Sequence, residues 1–159
     1  MVNCQTIAEC LPKKSYMDRP AQHNKRRILI PLLKGKVAAG FPSPADEHIE
    51  RVLDLNELVI AHPAATYFVR ARGSSMIHDG IHDGAVMVVD RALNVKPGDI
   101  IVARLGSRFT VKRYMKKGGN LFLVPSNPLF RPLKITTETD FAVWGVVRAV
   151  VLIFIKKEL

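Results

Sequence analysis

Ser75 is the residue of this chain whose setting best suits a nucleophile. It lies in Gly73-Ser74-Ser75-Met76, where a stretch that reads as strand gives way to a turn. A glycine just ahead lets another backbone come close. Serine is also an ordinary turn residue, so the hydroxyl counts as a nucleophile only if a base stands ready to take its proton. The sequence offers three candidates: His78, His82 and Lys112. Ser74, beside it, is a minor rival for the nucleophile itself.

The histidines occur in a tandem tetrapeptide, Ile77-His78-Asp79-Gly80 followed by Ile81-His82-Asp83-Gly84. Asp-Gly pairs are turn formers, so both histidines read as exposed loop residues. A His-Asp relay or a metal pair built from His78, Asp79, His82 and Asp83 is the weaker alternative. Lys112 ends Phe109-Thr110-Val111-Lys112 in a segment of strand character. Period two places it on one face with Thr110 and Tyr114, and puts Phe109 and Val111 on the other. In water a lysine is a poor base, since with a pKa about 10.4 only roughly one amine in 2,500 is neutral at pH 7. An apolar enclosure lowers that pKa by up to about 3 to 5 units. A neutral lysine amine can then take the serine proton and return it to a departing amine.

The elements that must position this pair read as short strands. Thr66 to Ala71, Ala85 to Asp90, Ile100 to Leu105, Phe109 to Met115 and Leu121 to Val124 are separated by turn signals. Gly106-Ser107 suits a two-residue hairpin, Lys117-Gly118-Gly119-Asn120 a slightly longer one, and Lys96-Pro97-Gly98-Asp99 a turn with Pro and Gly in order. The apolar run from Phe141 to Ile155, rich in Val and interrupted by Arg148, reads as buried strand. Ahead of these strands, Ser43 and Pro44 with Asp46 and Glu47 form a helix-start signal. Ile49, Val52 and Leu53 continue it at helical spacing, so a helix is expected there. Asp54 is expected to cap a second short turn carrying Leu55, Leu58 and Val59. Residues 1–42 read as an extended, flexible arm, in which Ile28 to Leu33 can form only an edge strand because Pro31 lacks an N–H. Residues 43–159 form one compact, mainly β domain.

The chain has 159 residues, 48% of them hydrophobic, and a net charge of +10. Its length and composition fit one globular domain with a tail. The charge is concentrated: Lys13, Lys14, Arg19, Lys25, Arg26, Arg27, Lys34 and Lys36 face only Glu9 and Asp18 before Gly40. Such an arm is either a solvated terminus or an electrostatic handle, and Tyr16 alone interleaves it for base stacking. Cys4 and Cys10 have neither a disulfide pattern nor zinc-ligand spacing, which fits a reducing, cytoplasmic setting. No signal peptide opens the chain, and Phe141 to Ile155 is too short for a membrane span. No cofactor or metal is called for.

Taken together and in order, Ala39-Gly40-Phe41-Pro42-Ser43-Pro44-Ala45, Gly73-Ser74-Ser75-Met76, Asp79-Gly80-Ile81 and Phe109-Thr110-Val111-Lys112 resemble the segments that define the UmuD and LexA group of self-cleaving serine peptidases. The resemblance runs from about Ile28 through Val150. It includes Asp54-Leu55-Asn56 and the segment from His62 to Val69, and it is closest to UmuD-like mutagenesis proteins. It implies a mainly β fold like the C-terminal domain of LexA, with a short helix and an extended N-terminal arm. It further implies Ser75 as nucleophile, Lys112 as general base and the Ala39–Gly40 bond as the one cut. Small residues on both sides of that bond suit a narrow site, and Pro42 keeps the chain from becoming helix before Ser43.

The same resemblance implies cleavage stimulated by the RecA filament on single-stranded DNA. The truncated product would form a homodimer that joins a Y-family DNA polymerase in translesion synthesis during the SOS response, with only indirect contact to nucleic acid. Two departures stand out. Ser74 occupies a position that is often acidic in UmuD-like proteins, and the arm before Gly40 is longer, through extra N-terminal sequence or a start at Met17. Three other readings compete. A LexA-like repressor would need a helix-turn-helix domain that the Pro-broken arm has no room for, and a membrane signal peptidase would need an anchor. A non-catalytic basic β module that binds a polymerase or nucleic acid would need neither Ser75 nor Lys112.

Overall fold

A computed structural model of the chain describes residues 27–37, 39 and 48–154. The basic arm through Arg26, Cys4, Cys10, Gly40 to Pro42 and the helix-start signal at Ser43 to Glu47 lie outside the described residues. The described residues fall into two compact units, one within Gln22–Ala61 and the other within His62–Leu159.

In the first unit, β1 (Ile30–Leu33) pairs antiparallel with β2 (Ile49–Leu53) in a two-stranded sheet, with Ile30 opposite Leu53 and Leu32 opposite Arg51. Pro31 is tolerated because a two-stranded ribbon consists only of edges. The helix expected to carry Ile49, Val52 and Leu53 is not formed there: these residues are strand. Spacings of three and four over so short a stretch do not separate helix from strand, and β-branched Ile49 and Val52 pair with Ile30–Leu33 instead.

The turn expected after Asp54 is present as α1 (Leu55–Val59). Asp54 Oδ1 accepts the Asn56 N–H at 2.7 Å, while Oδ2 accepts the Ile28 N–H at 2.9 Å. One buried carboxylate thus caps the helix and ties down the start of the hairpin. The Ile28 bond, followed by that from Asn56, holds its pKa below the ordinary carboxylate value.

The second unit is a seven-stranded antiparallel sheet. Its strands are β3 (Thr66–Arg70), β4 (Val86–Asp90), β5 (Ile100–Leu105), β6 (Arg108–Lys117), β7 (Asn120–Val124), β8 (Leu133–Ile135) and β9 (Phe141–Val151), in the spatial order β3-β4-β9-β5-β6-β7-β8. The final apolar run is therefore a central strand, between β4 and β5, which is why it carries little charge. Met87, Val88, Val89, Ile101 and Leu123 are its most completely buried apolar side chains. Gly145 is required by packing: a Cβ there would lie 2.7 Å from Val89 Cγ1 and 3.2 Å from the Asp90 carbonyl oxygen. β9 bulges beside it, since Val102 pairs with Gly145 and Ala103 with Val143, leaving Trp144 unpaired. A bulge re-aims the extra side chain, and Trp144 borders the site described next.

Candidate active site

The sheet brings Ser75 and Lys112 together. β6 carries Lys112 opposite Ile101 of β5, while Ser75 lies in the connection between β3 and β4. Lys112 Nζ is 2.8 Å from Ser75 Oγ, 2.8 Å from the Val111 carbonyl oxygen and 3.1 Å from Thr110 Oγ1. A neutral lysine amine has two N–H donors and one lone pair. The Val111 carbonyl and the Thr110 hydroxyl oxygen can accept the two donors, which leaves the lone pair for the Ser75 hydroxyl. Lys112 is half-buried, and burial pushes its pKa down. The strand periodicity that set Lys112 and Thr110 on one face is what allows this triangle.

Ser74, by contrast, is exposed, as are His78 and His82. The aspartates of the tandem repeat serve the turn. Asp83 Oδ1 accepts the Gly73 N–H at 2.6 Å, and Asp79 Oδ1 accepts from Arg113 Nη2. Gly73 has φ +88°, a conformation costly for any side chain, so the glycine of Gly73-Ser74-Ser75 is a backbone requirement. The turn continues into a 3-10 segment, Ile77–Asp79, and closes with the Ile81 N–H donating to the Met76 carbonyl at 3.2 Å. Because Arg113 follows Lys112 in β6, the Arg113–Asp79 pair joins the strand of Lys112 to the turn that holds Ser75.

Ser75 opens onto a cleft walled by Val69, Ala71, Met87, Phe109, Val111 and Trp144, with Arg70 and Arg72 also lining it. The indole of Trp144 is held edge-on against Phe109 and tilted against Tyr67, with the Arg91 guanidinium 5.1 Å from its centroid. A mostly apolar wall of this kind can admit an extended peptide with small or apolar side chains.

Several supporting residues escaped the sequence reading. Arg113 and Asp79 are 34 residues apart in the chain, and nothing in their local sequence links them. Asn127 stands in Ser126-Asn127-Pro128, which reads only as a turn, yet it is buried against the turn that holds Ser75. His62 Nδ1 lies 2.7 Å from Asp90 Oδ2. Burial pushes the Asp90 carboxyl up, but His62 and the Ala92 N–H outweigh it and hold the pKa below its usual value.

The sequence matches the family model described as Peptidase S24-like over residues 31–148. It is 43% identical over 119 residues to the protein MucA of Salmonella typhimurium, covering 74% of this chain and 81% of that one. With the protein SamA of Salmonella typhimurium it shares 44% identity over 119 residues, 75% of this chain and 82% of the other. The LexA repressor of Bordetella pertussis is 38% identical over 120 residues, which are 76% of this chain and 55% of the repressor.

Proposed function

Since the chain belongs to the Peptidase S24-like family, as a self-cleaving serine peptidase of the UmuD and LexA group, we propose that Ser75 is its nucleophile, Lys112 its general base, and Ala39–Gly40 the bond it cuts. The observation that carries this reading is the 2.8 Å contact between a half-buried lysine amine and the serine hydroxyl.

In the proposed reaction Ser75 Oγ attacks the Ala39 carbonyl carbon as Nζ takes the hydroxyl proton. The tetrahedral adduct collapses, the C–N bond to Gly40 breaks, and Nζ returns that proton to the Gly40 nitrogen. Water, deprotonated by the same amine, then hydrolyses the Ser75 ester. Because substrate and nucleophile share one chain or one assembly, the reaction runs at high effective concentration. Ala39 is exposed, as a residue that must enter a second site in extended form has to be. The bond lies in the connection between β1 and β2, so the cut separates the two strands covalently.

In this reading residues 1–42 are the basic arm holding the cleavage site, and residues 43–159 are the peptidase domain. The setting is the cytoplasm of a cell in its SOS response. The RecA filament on single-stranded DNA stimulates cleavage, and the truncated product dimerises and serves a Y-family polymerase as a subunit in error-prone synthesis past lesions. These roles come from the resemblance to the UmuD group.

The test is intact mass after incubation with RecA, single-stranded DNA and a nucleotide, and separately at alkaline pH, beside Ser75→Ala. A product starting at Gly40 in the native chain and absent from the variant is the expected result. An uncut chain under both conditions would favour the non-catalytic binding module.

A further inference from the structure

We infer that Asn127 is a positioning residue for the nucleophile: its loop fixes the peptide planes on both sides of Ser75, and so the direction in which Oγ points. The inference rests on the assignment of Ser75 as nucleophile.

Ser75 sits between two peptide units, and the loop after β7 takes hold of both. On one side the Ser74 carbonyl accepts from Asn127 Nδ2 at 3.1 Å. On the other, the Ser75 carbonyl accepts two backbone donors, the Ser126 N–H at 3.0 Å and the Asn127 N–H at 3.1 Å. Orienting both planes sets φ and ψ of Ser75. Only χ1 is then left to place Oγ, and the contact with Lys112 Nζ selects it.

Asn127 is itself held. It is 7% exposed, its Oδ1 accepts the Leu129 N–H at 3.0 Å, and its carbonyl accepts the Phe130 N–H at 3.1 Å. An amide is the side chain that can donate to Ser74 and accept from Leu129 at once. The turn is also secured by Asp83 at Gly73, by Arg113 at Asp79 and by the Ile77 N–H, which donates to the same Ser74 carbonyl at the longer distance of 3.3 Å. Without the Asn127 loop, Ser75 would keep its neighbours but lose its angle. A misplacement of about 1 Å at a reacting atom can cost about 100-fold in rate.

The test uses the full chain carrying Asn127→Asp, which keeps the acceptor for Leu129 and removes the donor to Ser74, and Asn127→Ala, which removes both. Three quantities are measured: the first-order self-cleavage rate across the alkaline range, the rate of covalent labelling of Ser75 by a fluorophosphonate, and the melting temperature. The expected result is a plateau rate lowered about 10- to 100-fold, an unchanged pH midpoint, and labelling slowed by a similar factor in protein still folded at the assay temperature. Should Asn127→Ala fail to fold, Asn127→Asp decides.

Cleavage and labelling within twofold of the native chain in a folded variant would overturn the inference. So would a moved midpoint with an intact plateau, which would mean that the loop acts on Lys112. A native chain that neither cleaves nor labels, or that cleaves equally well as Ser75→Ala, would instead remove the nucleophile assignment beneath it.

Discussion

The two units of this molecule are both antiparallel β, yet they are held by different forces. In the β1–β2 hairpin the apolar side chains stay in water: Ile30 is 56% exposed, Ile49 59% and Val52 52%. Its order comes from the backbone ladder, the Asp54 bonds and the exposed Arg27–Glu57 pair at 2.6 Å. In the seven-stranded sheet, Val88, Val89, Ile101 and Leu123 are wholly buried. Apolar burial stabilises by about 25 cal/mol per Å², so among the described residues one unit has a core and the other almost none. The difference suits the two tasks that the proposed cleavage of Ala39–Gly40 by Ser75 and Lys112 would set. A dyad whose contact must hold to tenths of an ångström belongs on a packed sheet. A segment that must present its backbone as substrate belongs where leaving the ladder costs little, at the low-stability end of a structure.

Substitutions can break this comparison or sharpen it. The largest effect is expected from Lys112→Ala, which should lower self-cleavage by a factor on the order of 10³ or more while leaving the sheet folded. Near-native cleavage by that variant, followed by mass spectrometry, would mean that the rigid unit does not hold the base. Next, Leu123→Ala should cost about 2–5 kcal/mol in denaturant unfolding, because its side chain is completely enclosed.

His62→Ala should cost about 1–3 kcal/mol by stripping Asp90 Oδ2 of its partner and leaving the buried carboxylate only the Ala92 N–H at Oδ1. It should also change how stability depends on acid. The Asp90 pKa lies below its unfolded value, so its contribution is present above the unfolded pKa and is lost as pH falls through the folded one. With His62 gone, burial pushes the carboxyl up and that loss moves to higher pH. The smallest effect should come from Leu32→Ala in the hairpin, within about 0.5 kcal/mol. A loss there as large as at Leu123 would erase the contrast between the units.

How much of this was legible in the sequence depended on range. Period two and turn chemistry located β3 to β7 to within a few residues, and the apolar run broken only by Arg148 announced β9. Local capping chemistry was equally plain at Asp54. The strand at Ile49–Leu53 was misread because its partner lies across the chain, in Ile30–Leu33, and helical spacing over five residues decides nothing by itself. β8 escaped notice because three residues after Pro132 carry too short a pattern. At the site, Ser75 and Lys112 were found through the resemblance, and strand alternation put Thr110 beside Lys112. What holds them was not legible. Arg113 reaching Asp79, and Asn127 reaching Ser74, are contacts made by the fold between segments that carry no mark of each other.

The account turns on a lysine that is neutral when it acts, and the pH dependence of self-cleavage addresses it most directly. Burial lowers the Lys112 pKa, so the protonated, inactive form should give way to the neutral base below the ordinary lysine value of about 10.4. First-order cleavage of the native chain, measured by intact mass from neutral to strongly alkaline pH, should rise along a single titration to a plateau with its midpoint below that value. A rate independent of pH across the range, or one retained in Lys112→Ala, would contradict the lysine base.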